Sequence, residues 1–151
     1  VNTIVKREMI FDNIKVESKE KTEAIRIISH LCARKNMAYE LKLIDAFRRR
    51  ENLDSTGFGG GIAMPHARIR GLSDPVFAVV RFAWPVEWEA LDGKPVDLAV
   101  VAITPEEPEK NSHLPTLALL ARKLMNEDFV YNLKHCTDGN QLYYYMLQEM
   151  K

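Results

Sequence analysis

A histidine directly after a proline, Pro65-His66-Ala67, closes a run that begins Ser55-Thr56-Gly57-Phe58-Gly59-Gly60-Gly61 and continues through Ile62-Ala63-Met64. Proline fixes its own φ and restricts the residue before it, so the approach to the imidazole is stiff. The glycines let backbone come close to a bound anion and adopt positive φ where a turn requires it. An unprotonated imidazole is a competent nucleophile near neutral pH, because its titration falls there. Together these features make His66 a candidate phosphoryl-accepting nucleophile. The residues Ser55, Thr56, Gly57, Gly59, Gly60 and Gly61 form the candidate phosphate loop.

Two further residues could support that chemistry. Ser112 reads as a helix N-cap, which puts His113 at the first helical position with Pro115 still in the tolerated first turn. A helix start offers free N–H groups and favours an anion over an imidazolium, so His113 is a candidate supporting imidazole. Arg48-Arg49-Arg50 closes a helical segment just before the loop. Helix-dipole complementation and solvated surface charge account for two of the three. Arg50, nearest the loop, is the candidate for phosphate stabilisation through its planar fork.

These residues need a frame. Residues 10–16 alternate as a strand does. With Ser18 as N-cap, Ala24, Ile25, Ile28, Leu31 and Cys32 then share one helical face, and Asn36 ends that helix. A second helix turns Leu41, Ile44 and Phe47 inward and runs to Arg50. After the glycine loop, residues 62–64 read as a short strand. Residues 76–82 and 97–103 are nearly continuous apolar runs, the pattern of strands covered on both faces. Their connection is short and holds Asp92-Gly93, a turn pair, which favours antiparallel pairing over a helical crossover. Residues 104–110 read as a solvated loop, followed by helices over about 112–125, 127–134 and 138–150. The expected fold is α/β, a three-layer sandwich with a mixed central sheet flanked by helices, formed as one domain over residues 1–151.

Composition narrows the function classes. The 151 residues are 46% apolar, enough for a real core, and Lys plus Arg equals Asp plus Glu at 21 each. That balance argues against broad attraction to nucleic acid or a membrane surface. The two cysteines, Cys32 and Cys136, have no companions at metal-ligand spacing and read as buried thiols in a reducing compartment. No secretory signal and no bilayer-length apolar stretch is visible, so a cytoplasmic location is expected. His30 and His135 read as structural. Trp84 and Trp88 bracket a turn and read as hairpin packing or the border of a partner surface. Glu106, Glu107 and Glu109 belong to the solvated loop.

The stretch from Arg50 to His66 resembles the signature of the fructose/mannitol-type IIA domains of the bacterial phosphoenolpyruvate-dependent sugar phosphotransferase system. The segment Leu91-Asp92-Gly93-Lys94-Pro95-Val96, and His113 followed by Leu114, Leu117, Ala118, Leu120, Ala121 and Leu124, resemble two more family segments in the family's order. The likeness covers essentially the whole chain. It implies that His66 takes a phosphoryl group on Nε2 from the carrier protein HPr and passes it to a IIB component, indirectly serving a membrane IIC transporter. It also implies supporting roles for His113 and Arg50, and neither metal nor organic cofactor. Many relatives carry Asn where Gly60 stands here, so any side-chain contribution from that position is lost in this chain. A regulatory protein of the nitrogen-related branch, controlling partners through its phosphorylation state, is the competing implication. Neither the sugar nor the oligomeric state is legible.

Overall fold

The computed structural model describes residues 5–150, apart from the side chains of residues 111–113. Strand β1 (Val5–Ile14) leads to helices α1 (Lys21–Ala33) and α2 (Met37–Leu53). The short strands β2 (Gly57–Gly59), β3 (Ile62–Ala63) and β4 (His66–Ile69) follow, then the long strands β5 (Val76–Val86) and β6 (Val96–Pro105). A 3-10 helix (Pro108–His113) enters α3 (Leu114–Lys123), and α4 (Glu127–His135) and α5 (Gly139–Glu149) complete the chain.

The sheet is mixed. Its order is β1-β5-β6-β3-β2, with β4 also paired to β6. β5 and β6 run antiparallel, as the short connection predicts, whereas β1 is parallel to β5 and both β3 and β4 are parallel to β6. β6 is buried along its length except for a half-buried Asp97, and Ala78, Val79 and Val80 of β5 are fully buried. Those two apolar runs therefore form the centre of the core. Around them, α1 packs on β5, α2 on β4 and α5 on β1. Among the described residues no helix is long and apolar enough to cross a membrane.

Several local expectations change. α1 starts at Lys21 with Glu20 at the cap position, not at Ser18. Ser18 instead accepts the Glu20 N–H on its hydroxyl and donates its own N–H to Glu23, bracing the approach to the helix. Asn36 does not end α1: that helix stops at Ala33 with Arg34 left-handed, and Asn36 caps α2 by accepting the Tyr39 N–H. β6 extends through Thr104 and Pro105 into the stretch read as a solvated loop, and the loop's remainder tightens into the 3-10 helix. The backbone of Ser112 lies in that helix, while its side chain, and with it the capping expectation, falls outside the described residues. Cys32 is buried, with its thiol pushed up to about 12 by desolvation, but Cys136 is only half-buried, just after α4.

One half-buried tie holds three elements together. Arg81 of β5 grips Asp12 of β1 through two parallel bonds of 2.7 and 2.6 Å, and its remaining nitrogen donates to the carbonyls of Leu133, Lys134 and Cys136 at the end of α4. The hydrogen bond from Arg81 is the main reason that Asp12 titrates below the ordinary 3.8, and burial opposes it. A depressed carboxylate stabilises the fold above its ordinary value, and that contribution disappears as pH falls through the lower folded value. Replacing Arg81 by methionine is expected to cost about 3 kcal/mol, since Asp12 and three carbonyls lose their donor together. Urea midpoints at pH 7 test this, and a loss under 1 kcal/mol would contradict it. Below pH 4 the gap between wild type and Arg81→Met should shrink.

Candidate functional site

The proline break sets up the site. Met64 donates its N–H to the Thr56 carbonyl, on the hairpin side, and the next residue rejoins β6 when the Pro65 carbonyl accepts from Ala102 at 2.9 Å. Proline has no N–H to contribute, so it fits where the chain changes ladder partner. His66 is thus the first residue of a new strand, β4, in register with Ala102, rather than a residue beyond the end of a strand over 62–64. Alternation then decides directions. Ala67 and Ile69 are buried, whereas His66 is half-buried and Arg68 is exposed on the opposite face.

The imidazole of His66 is oriented by a residue from the neighbouring strand. Its Nε2 lies 2.7 Å from the hydroxyl of Thr104, which is 1% exposed. Thr104 lies in the stretch that reads as a solvated loop, 104–110, so its type alone does not mark it as a partner of His66. The usable signal was a β-branched residue continuing the apolar run before Pro105.

Arg50 donates to the Asp54 carbonyl at 2.7 Å, closing the end of α2, which packs on β4. Arg49 pairs with Asp45 one turn back, and Arg48 is exposed. The 3-10 helix that contains the backbone of His113 packs against β6, the strand that supplies Thr104; the side chain of His113 lies outside the described residues.

The candidate phosphate loop is a hairpin. Gly59, Gly60 and Gly61 have φ of +105°, +66° and +78°, the left-handed region that suits glycine. Ser55 donates its hydroxyl to the Trp88 carbonyl and accepts the Gly57 N–H. The Gly60 N–H goes to Asp92 at 3.1 Å, and the Gly60 carbonyl accepts from Lys134, which also pairs with Asp97. The Asp92 carboxylate is held below its usual range mainly by the Lys94 N–H and then by the Gly60 N–H. β3 pairs with Leu98 and Ala99, and His66 with Ala102. The hairpin therefore meets β6 about 10 Å from the level of His66, by the rise of a strand.

Thr56 anchors this hairpin to α2. Its N–H donates to Glu51 at 3.0 Å, its hydroxyl bonds the other oxygen of that carboxylate, and the Trp88 indole N–H donates to the same hydroxyl at 3.1 Å. Lys21 reaches Glu51 at 3.3 Å. Glu51 and Trp88 are both buried, and no local pattern in the sequence marks Glu51 as the carboxylate that positions the loop.

A half-buried imidazole held by a hydroxyl thus opens β4, and the braced glycine hairpin meets the same central strand, β6. Residues 3–149 match the family described as the phosphoenolpyruvate-dependent sugar phosphotransferase system, EIIA 2. The chain belongs to that family. It is 36% identical over 131 residues to a nitrogen regulatory protein of Pseudomonas aeruginosa, covering 86% of this chain and 84% of the relative. It is also 35% identical over 116 residues to a fructose-specific EIIABC component of Bacillus subtilis, covering 76% of this chain and 18% of that longer protein. The nitrogen regulatory protein IIA-Ntr of Neisseria meningitidis superposes with a TM-score of 0.82 at 27% identity, covering 95% of this chain and 96% of that one.

Proposed function

We propose that the protein is a phosphohistidine carrier in which His66 accepts a phosphoryl group from HPr and hands it to a IIB acceptor. The observation that carries this reading is the Nε2 of His66, held 2.7 Å from Thr104 on a half-buried ring at the start of β4. Transfer between two histidine phosphoramidates is close to balanced, so the protein contributes mainly alignment and charge stabilisation. Arg50 at the end of α2 and His113 after β6 are the proposed supporting groups; the glycine hairpin fixes the approach to Pro65. The acceptor side draws support from the Bacillus subtilis relative, whose name joins A, B and C components in one protein.

A second reading is regulatory: the phosphorylation state of His66 controls partner proteins. The Pseudomonas aeruginosa relative favours it, because the match spans most of both chains. One experiment separates the two. The protein is phosphorylated by phosphorylated HPr and offered IIB proteins encoded beside its gene. Rapid discharge to IIB supports the transport role. A long-lived adduct, with binding to other partners that differs between the two states, supports the regulatory one. Failure to accept a phosphoryl group at all would refute both. Arg50→Ala should slow acceptance about 10-fold or more while Arg48→Ala stays near wild type; equal rates would remove Arg50 from the site.

A further inference from the structure

We propose that Arg68 and Thr104 hold the phosphoryl group on His66, a refinement that rests on the carrier reading above. Arg68 is paired with Thr104 across β4 and β6, just as His66 is paired with Ala102. Residues in parallel register share a face, so His66, Arg68 and Thr104 lie on the same side of the sheet. The Thr104 hydroxyl nevertheless bonds Nε2 of His66, two residues back from its own partner. The ring must therefore lean along the strand toward the level of Arg68, and a group attached to Nε2 would project there.

Among the arginines of α2 and β4, Arg48 and Arg68 are exposed without a hydrogen bond or ion pair to another described residue, and only Arg68 stands on the strand and face of His66. Arg70 pairs with Glu106, Arg49 with Asp45, and Arg50 is bonded to the Asp54 carbonyl. Arg68 is exposed and makes no hydrogen bond or ion pair with another described residue. It sits about 6.6 Å along the strand from His66, within reach of a phosphoryl group by its long side chain. A phosphoryl group brings a charge between one and two negative units and three acceptor oxygens, which a guanidinium fork matches.

Thr104 has the complementary part. For Nε2 to attack, its lone pair must be available, so Nδ1 bears the ring proton and Thr104 donates to Nε2 at rest. In the transfer, the bond from Nε2 to phosphorus forms as the bond from phosphorus to the donor's ring nitrogen breaks. A donor ring protonated on its other nitrogen leaves as neutral imidazole, and His66 keeps its Nδ1–H and becomes the cationic phosphohistidine. The Thr104 O–H, displaced from Nε2, rotates to donate to a phosphoryl oxygen. Thr104 is then a positioning residue before transfer and a phosphate ligand after it.

The test phosphorylates the full chain with phosphorylated HPr and follows the rate of adduct formation and its lifetime from pH 6 to 9. Arg68→Gln should slow formation about 10- to 100-fold and shorten the lifetime, Arg68→Lys should recover most of both, and Arg48→Gln should match wild type. Thr104→Val should slow formation about 10-fold and shift the His66 titration seen by NMR, and Thr104→Ser should restore both. Behaviour of Arg68→Gln like that of Arg48→Gln, with a normal wild-type adduct, overturns the role of Arg68. Full activity and an unshifted titration in Thr104→Val overturn that of Thr104. If valine disturbs folding, the serine variant decides: failure to form the adduct while folded would equally reject the hydroxyl's role. Absence of any His66 adduct in wild type defeats the carrier reading itself.

Discussion

The His66→Ala protein is expected to fold and to form no acid-labile phosphoryl adduct under conditions where the wild type is fully modified. The fold should survive because the ladder bonds of β4 are made by backbone, and because the half-buried ring is not part of the apolar core. Its removal leaves the Thr104 hydroxyl without that partner, a cost of about 1 kcal/mol. The chemistry has no such reserve. No carboxylate or thiol stands among the residues of β4, and a methyl group cannot accept phosphorus. Intact-mass analysis before and after mild acid treatment checks the adduct, and a thermal melt checks the fold. An adduct of undiminished yield in the alanine protein would move the chemistry to another residue and end the carrier reading of this site.

The second large effect concerns stability. Glu51→Ala is expected to lower the free energy of unfolding by about 3 to 5 kcal/mol. Its carboxylate is nearly buried and accepts from the Thr56 N–H, the Thr56 hydroxyl and Lys21. Removing it leaves buried donors facing a cavity, with the half-buried Lys21 ammonium still paired to the exposed Glu89. Glu51→Gln preserves volume and one acceptor oxygen, so it should cost roughly half as much. Urea denaturation of both variants measures this. An alanine variant within 1 kcal/mol of wild type would show that the hairpin is held by its other contacts, those of Asp92 and Lys134. Loss of phosphoryl acceptance should accompany the alanine change, because Thr56 also receives the Met64 N–H just before Pro65 and His66.

Much of the frame was legible because it follows from local rules. β5 and β6 announce themselves as continuous apolar runs, and the shortness of the chain between them dictates their antiparallel pairing. α4 and α5 fall within a residue or so of their expected bounds, each opened by a side-chain acceptor, Asn126 and Asp138. β4 was hidden because it has only four residues, one of them the exposed Arg68, and because a proline directly before it looks like a stop. The partners of the site were hidden for a different reason. Thr104 meets His66 at a sequence separation of 38, and Lys21 meets Glu51 at one of 30. No pattern within either segment records those meetings. Arg50 shows what proximity leaves out: closeness to the glycine run in sequence points toward the loop, and the folded chain adds a bond from its guanidinium to the Asp54 carbonyl at the end of its own helix.

The brevity of β4 also bears on how another molecule can approach. The strand pairs with β6 alone and spans His66–Ile69, with α2 packed against it. A visiting chain finds no long row of open peptide groups to extend, so strand addition is a poor way to recognise this place. Contact must rest on side chains, and such encounters separate quickly when little surface is covered. Under the carrier proposal, a chain that meets two different proteins in turn would gain from that brevity of grip.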